Sequence, residues 1–298
     1  MKIRAARPGE RAAIAKFCLS QDPEDYIPAW MDRFERQGRF FMLQDGRRLA
    51  GIVHGQRAPD GSAWMSAARV HEDYRGQGWI NRMNDFALAT PALRGARAAR
   101  MLITSDNTSS ARAALKGGYR VVSTLSFVDW EAPSKGRRPP ESPSGYGRCS
   151  PGTFRKEAAE SGLLKAQGGL VYGPFTGAFE PTLRAARAKK GWLFRSRALG
   201  PLMAGMFADT GERWMGIQAF AASKGAAKRA IDFAIERRAE SATVILPAGD
   251  RFSKPFLENG YTRSDWAKKV NIWQKDLARA SRRATSLQTA AAPRRTAR

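Results

Sequence analysis

The order of periodic segments predicts an α/β (α+β) fold, a mixed and largely antiparallel sheet flanked by helices, present once in full and again in degenerate form. Two observations carry this expectation. Over the first 130 residues, segments run strand, helix, helix, three meander strands, helix, strand, helix, strand. In the second half, the closing part of that order returns.

Residues 2–6 alternate as a short strand, and Pro8 with Glu10 opens an amphipathic helix reaching to about residue 19. A second helix fits 27–37, where Trp30, Met31 and Phe34 recur at helical spacing. Strands over 39–44 and 49–56 are joined at Asp45-Gly46, a dipeptide that suits a hairpin turn. Pro59-Asp60-Gly61 turns the chain into a third strand, 63–70. A helix over 78–88, a strand over 101–105, a helix over 108–116 and an extended run over 119–130 complete the first block. In the second block, 242–250, a short helix, and Glu258-Asn259-Gly260-Tyr261 running to Trp273 parallel 99–106, its helix, and Lys116-Gly117-Gly118-Tyr119 running to Trp130. The segment 214–221 and a helix over 225–238 stand in the place of 63–88. An internal duplication is the simplest account.

These blocks set the expected organisation. A first domain covers 1–130, a Pro/Gly/Ser-rich linker 131–152, a second domain 153–275 and a basic, disordered tail 276–298. A length of 298 residues suits two domains, and 43% apolar residues are enough for a core. No run approaches the roughly 20 apolar residues of a membrane span, and the first residues lack the apolar stretch of a secretory signal, so a cytoplasmic protein with no membrane partner is expected. Cys18 and Cys149 stand far apart, which predicts two free thiols and no metal site.

The formal charge of +24 fits nucleic acid, an anionic surface or a polyanionic cofactor. Its distribution narrows this choice. Residues 1–130 carry +7 and residues 131–298 carry +17, and no basic motif is interleaved with aromatics, so a solvated basic surface is expected rather than nucleic-acid binding.

The sharpest motif spans 70–83, Val-His-Glu-Asp-Tyr-Arg-Gly-Gln-Gly-Trp-Ile-Asn-Arg-Met, where a strand ends and a helix begins. A helix N-terminus offers unpaired N–H groups and the positive end of a dipole to phosphate. Gly76 and Gly78 let backbone approach such a group, and Arg75 adds positive charge. A dinucleotide fingerprint is excluded, because Asn81 stands at its third glycine and the preceding strands form a meander.

The motif resembles the signature of the GCN5-related N-acetyltransferase (GNAT) family: Arg or Gln, two residues, Gly, one residue, then Gly or Ala. Here it reads Arg75-Gly76-Gln77-Gly78-Trp79-Ile80, with Ile80 departing from the small third residue. The resemblance implies that acetyl-CoA is the acyl donor. It further implies that the amides of Gln77, Gly78 and Ile80 cradle its pyrophosphate, and that the Val70 backbone pairs with the pantetheine arm. The family's second signature resembles 107–119, which adds Asn107 and Ser110 to the cofactor set. Its usual tyrosine acid falls on Ala114 and is absent. Two tandem modules, with Asp25-Tyr26-Ile27-Pro28 before an aromatic helix, are similar to the histidine N-acetyltransferase branch. That similarity implies Asp25 and Tyr26 near the acceptor amine. His54, on a central strand, either faces the cleft as a substrate residue or is a satisfied core histidine. Glu72 and Asp73 adjoin the loop, a position where acids are commonly solvated or capping, and the general base stays unknown.

Three functions follow. The first is an acetyltransferase acting on a small-molecule amine such as an amino acid. The others are acetylation of a protein or peptide amine with the second domain as a docking module, and a non-catalytic basic binding protein on the same fold.

Overall fold

The structure, a computed structural model, describes residues 1–133, 143–172, 178–180, 183–188, 190–207, 213–265 and 269–277. Residues 134–142 of the expected linker and the tail from 278 onward lie outside the described residues. The first half runs β1 (Lys2–Ala5), α1 (Arg11–Gln21), α2 (Met31–Gln37), β2 (Gly38–Asp45), β3 (Arg48–Arg57), β4 (Ala63–Val70), α3 (Trp79–Ala89), β5 (Ala98–Thr104), α4 (Thr108–Lys116) and β6 (Arg120–Glu131). The second half runs β7 (Gly147–Arg148), α5 (Pro151–Glu160), α6 (Gly162–Gln167), β8 (Leu170–Tyr172), β9 (Ala178–Glu180), α7 (Ala185–Ala188), β10 (Leu193–Ser196), β11 (Gly200–Phe207), β12 (Trp214–Ala219), α8 (Lys224–Glu236), β13 (Ser241–Pro247), α9 (Asp250–Leu257), β14 (Thr262–Arg263) and β15 (Val270–Asp276).

Strand alternation sorts the first-half side chains onto two faces. Phe40, Met42 and Ile52 pack under α1 and α2 with Ile14, Phe17 and Phe34. Phe41, Leu43, Val53 and Met65 pack on the opposite face with Met83, Ala87 and Ala114 of α3 and α4. In the second half, Phe233 and Phe256 of α8 and α9 cover Phe194, Ile217 and Val244, while Phe154 and Leu164 of α5 and α6 cover Met203 and Ile245.

Thirteen of the described strands form one mostly antiparallel sheet in the order β1-β2-β3-β4-β5-β15-β6-β13-β12-β11-β10-β7, with β14 also on β6, while β8 and β9 pair as a separate two-stranded sheet. Its parallel contacts are β4 with β5 and β12 with β13. Consecutive strands β5 and β6 are not neighbours, because β15 lies between them and pairs antiparallel with both. In turn, β6 pairs with β13. The two halves have therefore exchanged their closing strands within one sheet. Arg100 of β5, 5% exposed, reinforces this seam by donating to Asp60 at 2.6 Å and to Gln274 of β15 at 2.7 Å.

Two features differ from the sequence expectation. Part of the expected linker is ordered as β7, which pairs with β10, and α5 already begins at Pro151 under a Ser150 cap. Residues 153–213, for which periodicity predicted no elements, hold α6 to β11.

Candidate cofactor and acceptor site

Two features of β4 create an opening. Parallel β4 and β5 pair only at Ala63↔Ala99 and Trp64↔Arg100, so the strands part along the rest of β4. The β5-facing edge of the remaining β4 residues thus offers backbone groups that another extended chain can pair with. On its other side β4 pairs with β3, but His54 stands opposite Ser66 while Ile52 stands opposite Arg69. Val53 accordingly faces two residues, a bulge at Ala67-Ala68, with Ala67 in the left-handed region at φ 53°.

The glycine loop follows directly. Gly76 and Gly78 both have φ 77°, where a β-carbon is strained, and a Cβ added to either would meet nothing within 4 Å. Glycine is required there by backbone angle, and the space before the loop is open. Gly78 caps α3 without any side-chain hydrogen bond, and the first turn holds no acid. The leading amides of α3 therefore have no acceptor within the helix. Arg82 N–H donates to the Gly78 carbonyl at 3.2 Å and begins the helical ladder. Side chains brace the loop: Gln77 Nε2 donates to the Asp73 carbonyl at 3.1 Å, and Trp79 Nε1 donates to Gln77 Oε1 at 3.1 Å. Arg75 Nε donates to the Val70 carbonyl at 3.0 Å, tying the loop to the end of β4. Ile80 is half-buried and packs into the α3 core, leaving its amide at the helix start.

Asn107 and Ser110 stand at the same edge of the sheet, at the start of α4. Asn107 Oδ1 accepts from Ser110 N–H at 3.0 Å, so this asparagine caps α4 and fixes its first turn. Asn81 joins the two helices through Nδ2 to the Ala113 carbonyl at 3.0 Å. A Cβ on Gly117 would lie 2.6 Å from Asn81 Oδ1, which explains the first glycine of the Gly117-Gly118 pair. Ala114, at the position of the family's tyrosine acid, is buried in the core.

On the opposite face, Asp25 and Tyr26 lie in the loop between α1 and α2. The Asp25 carboxylate is fully buried and accepts from Arg69 Nε at 2.7 Å. The Tyr26 ring lies 5.5 Å from the Arg69 guanidinium carbon. The structure places His54 in the core rather than in a cleft: it is 0% exposed and edge-on to Phe34 and Phe40. Its Nε2 is 2.9 Å from the Phe34 carbonyl, which can only accept, so Nε2 carries the proton and Nδ1 accepts from Ser66 Oγ at 3.3 Å. Burial pulls the imidazole down to about 4, against which the Phe34 hydrogen bond acts only partly. Burial likewise pushes the Cys18 thiol up to about 12, with Asp25 adding to the effect. Of the acids beside the loop, Asp73 is bound by Arg48 at 2.8 Å and Glu72 is exposed.

Sequence reasoning missed Arg69, Arg48 and the bulge. A bulge has no residue signature here, since Ala67 and Ala68 give no cue to a left-handed backbone.

The corresponding place in the second half is closed. Five consecutive pairs, from Trp214↔Ser241 to Gln218↔Ile245, zip β12 to β13. Buried Gln167 and Gln218 exchange amide hydrogen bonds at 2.7 and 3.1 Å beside that pair. Helix α8 is capped by Ser223, whose Oγ accepts from Ala226 N–H at 3.2 Å. A cavity of about 650 Å³ lined by Arg148, Arg195 and Arg197 lies at the far end of the sheet from β4.

A splayed parallel pair, an uncapped glycine-led helix and a second helix starting beside it thus lie together at one edge of the sheet. Residues 11–119 match the acetyltransferase (GNAT) family model. The fold is similar along most of its length to that of the GCN5-related N-acetyltransferase from Sphaerobacter thermophilus, with TM-score 0.57, 15% identity, and coverage of 92% of this chain and 95% of that one. A Thermoplasma acidophilum protein assigned as an acetyltransferase aligns with TM-score 0.48 and 15% identity over 91% of each chain. The Bacillus subtilis acetyltransferase in complex with CoA aligns with TM-score 0.35 and 16% identity over 41% of this chain and 78% of that one. No curated protein matches the sequence.

Proposed function

We propose that the chain transfers an acetyl group from acetyl-CoA to the primary amine of a small molecule, with a free amino acid as the acceptor class and histidine the first to test. The observation that carries this reading is the parting of β4 from β5 directly before an uncapped, glycine-led helix. The residues fit the cofactor. The amides of Gln77, Gly78 and Ile80, with Arg75 beside them, would hold the diphosphate, and the free edge of β4 ending at Val70 would hold the pantetheine arm. Asn107 and Ser110 contribute by fixing the start of α4. Bound there, acetyl-CoA supplies the activated acyl group.

The chain's own part is orientation and exclusion of water. The bulge at Ala67-Ala68 interrupts the β3–β4 ladder beside the opening, where a backbone N–H of β4 would polarise an acyl carbonyl. Neutral, fully buried His54 and Arg69-paired Asp25 are not the base that takes the acceptor's proton.

A small acceptor is favoured because both halves close over this face. The Arg33 guanidinium of α2 lies 4.9 Å from the Trp30 ring and 4.3 Å from that of Phe207 on β11, and β9 packs against β5. Calorimetric titration with CoA and acetyl-CoA tests the cofactor assignment, and Gly78→Asp should abolish binding by setting bulk and negative charge at the phosphate position. Release of free thiol from acetyl-CoA with L-histidine and pooled amino acids tests the acceptor. Retained affinity in Gly78→Asp would remove the site, and turnover only on peptides would move the acceptor class.

A further inference from the structure

The residue before Val70 has contacts that neither cofactor binding nor the core requires. Strand alternation from Ser66, which faces α1 and α2 with His54, would point Arg69 to the α3 face. The bulge inserts one extra residue and reverses this. Arg69 consequently stands opposite Ile52, whose side chain packs under α1 and α2, while Val70 packs on the α3 side. So placed, Arg69 grips the α1–α2 loop with a two-pronged contact: Nε to Asp25 Oδ2 at 2.7 Å and Nη2 to Asp25 Oδ1 at 3.3 Å. Asp25 Oδ1 also accepts from Ile27 N–H at 2.9 Å, so one carboxylate fixes both the strand and the turn of the loop. Tyr26, between them in sequence, lies over the guanidinium and within 6.4 Å of the Phe34 ring. A buried ion pair of this kind is a poor source of stability compared with apolar packing, because two charges must be desolvated. Its geometric effect is distinct. It holds a loop of the acceptor face against the strand residue that adjoins the expected pantetheine contact.

We propose that the Arg69–Asp25 pair is a clasp that keeps the α1–α2 loop closed over the acyl end of the cleft, making Arg69 a positioning residue that excludes water from the thioester. This rests on the acetyl-CoA reading above. A closed loop denies water the carbonyl until an amine occupies the site, which suppresses wasteful hydrolysis. Opening the clasp exposes the same carbonyl to solvent without altering the phosphate loop on the opposite face.

The test compares wild type, Arg69→Gln, Arg69→Lys and the double variant Asp25→Asn/Arg69→Gln, which avoids an isolated buried carboxylate if the single variant folds poorly. Three measurements are made: CoA affinity by calorimetry, thiol release from acetyl-CoA with no amine present, and hydrogen exchange of the loop at 22–30. Arg69→Gln should hydrolyse acetyl-CoA several-fold faster than wild type, keep CoA affinity within about twofold and lose protection at the Ile27 amide. Arg69→Lys should recover part of the restraint. Unchanged hydrolysis in a folded variant that binds CoA normally overturns the clasp, and so does an Ile27 amide that stays protected, whatever CoA does. Failure of the wild type to bind CoA instead overturns the acyl-transfer reading, while the exchange measurement still decides whether Arg69 restrains the loop.

Discussion

His54 gives a prediction whose size follows from its surroundings. The imidazole is fully buried, edge-on to two phenyl rings, and donates to the Phe34 carbonyl through Nε2. Burial lowers it from the ordinary 6.5 to about 4. The unfolded chain therefore takes up a proton near pH 6.5 that the native state refuses until about pH 4. Stability is fully present above 6.5 and falls as pH drops through that window, because the unfolded state binds more protons there. At about 1.4 kcal/mol for each tenfold change, going from pH 7.5 to 4.5 removes about 2.5 kcal/mol on this account alone. His54→Gln supplies the comparison. Its amide nitrogen can donate to Phe34 and its oxygen can accept from Ser66, but it does not titrate. The carboxylates titrate alike in both proteins, so the difference between two urea denaturation series isolates the histidine. The stability advantage of wild type should shrink by about 2.5 kcal/mol between pH 7.5 and 4.5. Only two histidines occur in the chain, His54 and His71, so an NMR titration resolves them readily. A His54 resonance that titrates near 6.5, or a stability gap that does not change with pH, would refute the argument and return His54 to the list of groups that can serve the acceptor amine.

Other predictions concern the seam and the cofactor count. The side chains of Asp60 and Arg100 are each 6% exposed, so Asp60→Asn removes the carboxylate that faces a buried guanidinium and should cost about 3 kcal/mol in chemical denaturation. Burial raises the Asp60 carboxyl, yet hydrogen bonds from Ser62 and Arg100 together hold it below its usual range; its contribution is present at neutral pH and is lost as acid reaches the folded-state value, which an acid unfolding series of wild type against Asp60→Asn will show. CoA should titrate to one site per chain, since β12 and β13 are zipped and α8 is capped by its own Ser223; two equal sites would show that the second cleft opens.

Much of the first half was legible because its signals are local. The hairpin at Asp45-Gly46, the strand at Ala63–Val70 and the helix at Thr108–Lys116 occur where periodicity and turn residues placed them. The glycine loop was legible because the left-handed angles at 76 and 78 favour glycine. Arg69 was not, since its role depends on which face of β4 it occupies. That depends on a bulge formed by two alanines with no turn chemistry. His54 illustrates a similar limit: alternation puts it on a face, but only packing decides whether that face is a cleft or a core. Strand exchange leaves no local trace, because β6 and β15 carry the same alternation whichever neighbour they pair with.

The exchange explains why a half whose own parallel pair is closed remains necessary to the half that opens. β15 gives β5 seven antiparallel partners, from Val270↔Thr104 to Asp276↔Ala98, on the side of β5 away from the cleft. Without it, β5 is held only at Ala63 and Trp64 of β4, and β6 has lost its partners on both sides. The residues that make the cleft open are thus the ones that make β5 depend on the second half. A chain ending at residue 133 should leave one edge of β5 and both edges of β6 unpaired and aggregate, even though the GNAT match ends at residue 119. Supplying residues 143–298 as a separate chain should restore a soluble complex and CoA binding, read by co-purification and calorimetry. A monomeric 1–133 fragment that binds CoA with wild-type affinity would show that β5 and β6 can pair directly, and that the exchange is a consequence of duplication rather than a support for the site.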